Sequence, residues 1–236
     1  MQPLSETKTA LQQKGHRGLL ASIMLMILVS PFLSVIPTFS WLLSVFLILV
    51  LLTAARTVAG PGLRLKMILG LGLAALLTQS AVLSPQSGWL ETGRYVATPL
   101  FLFSVCGMLL RDIVLRSHTV TRDLILGAVN VYLMIGVGFA FIYGLIELLQ
   151  PGSFTGLEEL VSTPDRMLYF LYFSFITMST LGYGDISPLT PHGMTATYIE
   201  AIFGQLYLAI LVARLVAIYI GRPTPGETKS STQNDT

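Results

Sequence analysis

Long apolar runs, each closed by a short polar or glycine- and proline-containing break, set the pattern of this chain. Six of them, at 19–36, 39–55, 67–83, 95–110, 124–149 and 195–220, are long enough to cross about 30 Å of hydrocarbon once tilt is allowed. No charge separates the first two, which lie between Arg17 and Arg56, so their boundary rests on the turn-forming Pro37-Thr38-Phe39-Ser40. A single tilted span over the whole stretch would be too long. A further apolar segment, 164–178, is only half a crossing, roughly 20 Å as a helix. Thr163-Pro164-Asp165 opens it with a capping hydroxyl, a first-turn proline and an acid at the positive helix end.

Composition agrees with the pattern. Of 236 residues, 53% are hydrophobic and 11% charged, and the mean hydropathy is +0.73. That balance belongs to integral membrane proteins, since a soluble protein of this size carries far more charge. The net charge of +2 says little, but its placement says more. With six spans, Lys8, Lys14, Arg17, Arg56, Arg64, Lys66, Arg111, Arg116, Arg122, Arg222 and Lys229 share one side, and only Arg94 and Arg166 take the other. Cytoplasmic loops collect Lys and Arg, so both termini are expected inside. The first span is longer than a signal-peptide core and lacks a small-residue cleavage pattern after it, which favours a retained anchor. Residues 1–18 and 222–236 read as polar cytoplasmic tails without fixed structure. Cys106 lies in an apolar run and reads as a buried small side chain.

Thr180-Leu181-Gly182-Tyr183-Gly184-Asp185 follows the half-crossing segment directly. Carbonyls stacked toward one axis need backbone angles that a residue with a Cβ adopts only at a cost, and Gly182 and Gly184 supply them. Irregular backbone at membrane depth is tolerated only where protein encloses it or it lines a watery path. The half-crossing helix also turns its carbonyl end, with partial negative charge, toward the membrane centre, where it favours a cation.

Together these residues resemble the two-helix pore module of the potassium channel superfamily: outer helix 124–149, pore helix 164–178, filter 180–185 and inner helix 195–220. Added to the four apolar runs that precede it, the module makes the expected fold an all-α membrane protein of six transmembrane helices plus a re-entrant pore helix and filter. It divides the chain into a tail (1–18), a four-helix domain (19–116), a pore domain (117–221) and a second tail (222–236). The resemblance implies that Thr180, Leu181, Gly182 and Tyr183 offer carbonyl ligands to potassium, with the Thr180 hydroxyl innermost, that Gly184 closes the filter, and that Asp185 sits behind its outer mouth. Leu181 stands where the family usually has Val; a backbone oxygen coordinates there, so the side chain bears on packing behind the filter. Some family members brace the filter aspartate with a pore-helix acid, and here that brace falls to Tyr172. A filter of this kind takes four loops, so a homotetramer is expected. Potassium is the permeant ion, with no other cofactor; lipid and monovalent cations are the further partners, and nothing suggests nucleic acid.

In the last span, Gly204 stands where the family places a hinge, although a small residue there equally serves close helix packing. Gln205, Leu208 and Val212 follow at helical spacing and share the face expected to line the inner cavity. Glu200 is an acid deep in an apolar run, which marks either a functional position or a structural polar contact with no part in gating. It lies some 140° around the helix from Gln205, so it points to the pore helix or a neighbouring subunit, where Tyr172 or Ser179 would meet it in protonated form. Arg214 snorkels to the interface.

Four spans before a pore module invite a voltage-gated reading, but Tyr95 to Leu110 carries no charge, whereas a sensor helix has an arginine at every third position. Voltage gating is therefore not expected. Only a short tail follows Ile220, so no soluble sensor domain is expected in the same chain. A membrane enzyme is disfavoured because His16, His118 and His192 are scattered. A transporter subunit would carry several degenerate filters. A weakly selective cation channel is the nearer alternative, and so is a subunit that needs a partner.

Overall fold

The computed structural model describes residues 3–33, 39–58, 63–79, 88–116, 121–157 and 163–220. They form seven helices: α1 (Pro3–Leu33), α2 (Phe39–Val58), α3 (Leu63–Thr78), α4 (Gly88–Arg116), α5 (Arg122–Leu149), α6 (Thr163–Met178) and α7 (Pro191–Ile220). Among the described residues the only extended pairing is an isolated bridge between Phe154 and Pro188.

Local chemistry explains the bounds of α5. Thr121 has extended backbone and its hydroxyl accepts the Leu124 N–H at 3.3 Å, while Asp123 adds a negative charge to the first turn. At the other end the Gln150 N–H bonds the Ile146 carbonyl at 2.8 Å. Pro151 and the left-handed Gly152 (φ 82°) then turn the chain away.

α5 is the axis of the fold, packing on α1, α4, α6 and α7. Its glycines let neighbouring aromatic rings lie against its backbone. A Cβ on Gly136 would come within 2.7 Å of the Phe175 ring, one on Gly138 within 2.8 Å of Phe103, and one on Gly144 would press into Tyr95. Without a bilayer-side hydrophobic force between helices, such close approach is what holds them together. α1 and α2 pair, α3 lies on α4, and Asn130 of α5 donates to the His16 carbonyl of α1 at 2.9 Å.

By length and composition, Gly88–Ile113, Arg122–Leu149 and Pro191–Ile218 can each cross a membrane, while Gly15–Val29, Ile68–Thr78 and Arg166–Met178 are shorter apolar helices. Two expectations change. The polar segment expected to be an unstructured tail over 1–18 is helical from Pro3, because no proline or glycine interrupts Leu4 to Lys14. The apolar run expected at 95–110 lies inside a longer helix, so Arg94, Arg111 and Arg116 belong to α4 itself. Arg94 is buried, its guanidinium 5.0 Å from the Tyr95 ring centroid. The turn at Pro37, the end of the third span at 80–83 and the tail 222–236 lie outside the described residues.

α7 differs from α5 in one respect. It touches α5 and α6 along one side, while Ile202, Phe203, Leu206, Ile210 and Val216 stand exposed.

Candidate functional site

α6 starts at Thr163, although the capping side chains Thr163, Pro164 and Asp165 are outside the described ones. At its other end the helix does not simply stop. The Ile176 carbonyl accepts from both Leu181 N–H (2.9 Å) and Gly182 N–H (3.2 Å), and Thr177 O accepts from Thr180 N–H at 3.0 Å. These bonds fold the start of the 180–185 segment back onto the last helical turn, which satisfies carbonyls a helix end leaves open.

Beyond that point the backbone alternates. Thr180 (φ 60°), Gly182 (φ 51°) and Gly184 (φ 81°) are left-handed, and Leu181 and Tyr183 between them are not. Thr180 is the only non-glycine residue with positive φ among those described, an arrangement that costs about 1–3 kcal/mol and persists only where the surroundings impose it. Its hydroxyl donates to the Ser179 carbonyl at 2.6 Å. Thr180 through Asp185 are all exposed.

Tyr172 and Asp185 meet: the phenol donates to Oδ2 at 2.8 Å. Glu200 is fully buried on α7 and reaches different partners from those expected. Tyr143 of α5 donates to its Oε2, and Ser174 of α6 lies 2.5 Å from Oε1. Ser179 bonds instead with the Ile176 carbonyl at 3.3 Å, and Tyr172 is taken by Asp185. Ser174 Oγ is also 2.7 Å from the Gly136 carbonyl. A hydroxyl has one hydrogen and cannot donate to both. If it donates to Gly136, the Ser174–Glu200 contact takes its hydrogen from a protonated Glu200, and every polar atom of the group is then matched. Outer helix, pore helix and inner helix are joined through this one carboxyl group.

Gly204 is buried against the end of α6: a Cβ there would lie 3.2 Å from the Met178 carbonyl oxygen and 3.3 Å from its Cα. α7 runs unbroken through this position. Gln205, Leu208 and Val212 are exposed, whereas Glu200 is buried, so the two sets occupy different faces of α7. Arg214 is half-buried. Nearby, Tyr207 donates to the Ala128 carbonyl of α5 at 2.7 Å and stacks on Tyr132 at 6.2 Å.

Sequence reasoning passed over Tyr143, Ser174, Glu147 and Gly156. Glu147 carries a readable signal, since it is an acid within an apolar run, as Glu200 is. Its carboxyl oxygens accept the Gly152 and Ser153 N–H groups, each at 2.9 Å. Tyr143 and Ser174 carried none, because their partner lies 57 and 26 residues away.

Comparison with known proteins places these features. A family described as "Ion channel" matches residues 131–220. The inward rectifier potassium channel Kirbac3.1 of Paramagnetospirillum magnetotacticum is 35% identical over 124 residues, 51% of this chain and 36% of that protein. The two-pore potassium channel 5 of Arabidopsis thaliana is 46% identical over 46 residues, 20% of this chain and 11% of the relative. Protein LctB of Bacillus caldotenax is 31% identical over 103 residues, 42% of this chain and 75% of that protein. The chain thus spans about a third of the inward rectifier and about a tenth of the two-pore channel. No solved structure matches it. With a helix that folds into a Thr-Leu-Gly-Tyr-Gly-Asp segment of alternating handedness, flanked by two long apolar helices, this chain belongs to the potassium channel superfamily and carries its pore module.

Proposed function

We propose that the protein is a potassium-selective channel that conducts K+ passively through a pore built by four copies of the chain. The observation that carries this reading is the alternation of left-handed angles at Thr180, Gly182 and Gly184. Backbone of this kind turns successive carbonyls to one side, and four such segments around an axis replace the water shell of a dehydrating K+. Carbonyls of Thr180, Leu181, Gly182 and Tyr183 serve as ligands, and the Thr180 hydroxyl forms the innermost ring. The exposure of the whole segment in a single chain supports an arrangement in which neighbouring copies surround it. So does the uncovered apolar surface of α7.

In this reading the protein has six spans, lies in the plasma membrane of a bacterium and keeps both termini in the cytoplasm. Asp185, Tyr172 and Glu200 support the filter from behind, and Gln205, Leu208 and Val212 line the inner cavity. Gly204 acts as a packing contact against Met178 rather than a hinge, because the pore helix occupies the space a side chain would need. The uncharged stretch of α4 from Tyr95 to Leu110 supports conduction without a voltage sensor.

Flux from potassium-loaded proteoliposomes, repeated with sodium as the sole permeant cation, tests this function. Potassium flux well above sodium flux is expected, with no steep change of conductance across voltage steps. Equal fluxes would make the protein a weakly selective cation channel. Absence of flux under every gradient would point to a subunit that needs a partner.

A further inference from the structure

The polypeptide between α5 and α6 leaves the outer helix and immediately grips the chain that descends from the filter. Its first turn is organised by Glu147, whose two carboxyl oxygens each take one backbone N–H, from Gly152 and Ser153. The Ser153 hydroxyl closes the same turn on the Gln150 carbonyl at 2.6 Å. Phe154 follows and is buried among Tyr143, Phe170 and Phe173, with ring centroids 5.4, 5.4 and 5.7 Å away. The loop is thereby pinned to both α5 and α6.

From this anchored position the loop holds 185–189 along its length. Leu189 N–H bonds the Ser153 carbonyl at 2.7 Å, and Thr155 N–H bonds the Ser187 carbonyl at 2.9 Å. Ser187 N–H returns a bond to the Thr155 hydroxyl at 3.0 Å. Gly156 (φ 77°) then sits so close to Asp185 that a Cβ would overlap its carbonyl oxygen and lie 3.3 Å from the carbonyl carbon. Asp185 is therefore fixed from two directions: its carboxylate by Tyr172 of α6, and its backbone by Gly156 of the loop.

We infer that Glu147 and Gly156 are positioning residues for the filter, setting the outer end of 180–185 through the clasp between 152–157 and 185–189. The inference rests on the channel reading for its functional consequence, but the clasp itself can be measured without conduction. Filter carbonyls select by distance and number, so a shift of the Asp185 backbone is passed to Gly184 and Tyr183 along a chain with few other bonds. Glu147 is suited to the role because only a carboxylate offers two acceptors to adjacent N–H groups at once. Glutamine keeps one acceptor and presents an NH2 to the other amide.

Hydrogen exchange on the full-length protein in detergent, paired with the potassium and sodium flux assay, decides the point. Glu147→Ala should raise the exchange rate of amides in 185–189 about tenfold or more, through loss of charge-assisted bonds. It should also raise sodium flux relative to potassium, and Glu147→Gln should fall between wild type and alanine in both. Gly156→Ala leaves the Glu147 turn intact and is expected to change the same amides and the same ratio, so it decides alone if Glu147→Ala fails to assemble. Unchanged exchange at 185–189 in Gly156→Ala, or faster exchange confined to 150–157 in Glu147→Ala, would overturn the clasp. A wild-type protein that conducts nothing would refute the channel reading instead, and the exchange result would still judge the clasp.

Discussion

Replacing Glu200 offers the sharpest view of how the pore domain is held together. Alanine removes the acceptor of the Tyr143 phenol and the partner of Ser174 at a fully buried site. Each buried group that loses its partner costs about 1–3 kcal/mol. About 2–6 kcal/mol in all is a large share of the roughly 5–15 kcal/mol that holds a typical domain. For a chain of this length that corresponds to a fall of roughly 5–20 °C in apparent melting temperature, read by loss of the soluble folded peak in size-exclusion chromatography after heating. Glutamine is the informative comparison. Its amide nitrogen donates to Ser174, its oxygen accepts from Tyr143, and Ser174 remains free to donate to Gly136, so the loss should stay below about 1 kcal/mol. A cycle with Tyr143→Phe should show coupling of about 0.5–3 kcal/mol, as expected for groups in one network. If glutamine destabilises as much as alanine, Glu200 acts through charge, and the hydrogen count given for the cluster is wrong.

Three further outcomes follow from the packing. Gly204→Ala brings a methyl group 3.2 Å from the Met178 carbonyl oxygen; it should cost about 1–3 kcal/mol by overpacking and lower the melting temperature, whereas a pure hinge role would alter channel opening at unchanged stability. Tyr172→Phe removes the 2.8 Å bond to Asp185, and potassium flux should lose preference over sodium with little change in melting. Gly144→Ala places a carbon 2.8 Å from Cδ1 of Tyr95 and should loosen α4 from α5 at a similar cost of about 1–3 kcal/mol, seen as a lower melting temperature.

Legibility varied with the range of the interaction involved. The helical segments of the pore domain could be read directly: 124–149 appears as Arg122–Leu149, 164–178 as Thr163–Met178, and 195–220 lies within Pro191–Ile220. Apolar length, a cap and a proline are local signals. The need for glycine at 182 and 184 was legible for the same reason, because left-handed backbone is a property of single residues. The left-handed Thr180 was not, since only the bonds from Ile176 and Thr177 impose that angle on a residue with a Cβ. Glu200 stands out in the sequence among apolar neighbours, but its partners are Tyr143 and Ser174 and not the Tyr172 or Ser179 that the sequence suggests. Helical periodicity gives the direction a side chain leaves its own helix, and it says nothing about how high the facing helix sits.

What the sequence determined alone is a membrane protein with a filter-like hexapeptide after a half-length helix. Each of those properties is encoded within a few consecutive residues by hydropathy, backbone freedom and capping. The tertiary structure decided which polar atoms find one another: Glu200 with Tyr143 and Ser174, Glu147 with the turn at Gly152 and Ser153, and Gly156 against Asp185. Those pairings depend on the heights and rotations at which α5, α6 and α7 pack. Close glycine contacts between distant parts of the chain, Gly136 on Phe175 and Gly204 on Met178, are part of that packing, so no short stretch of sequence contains it.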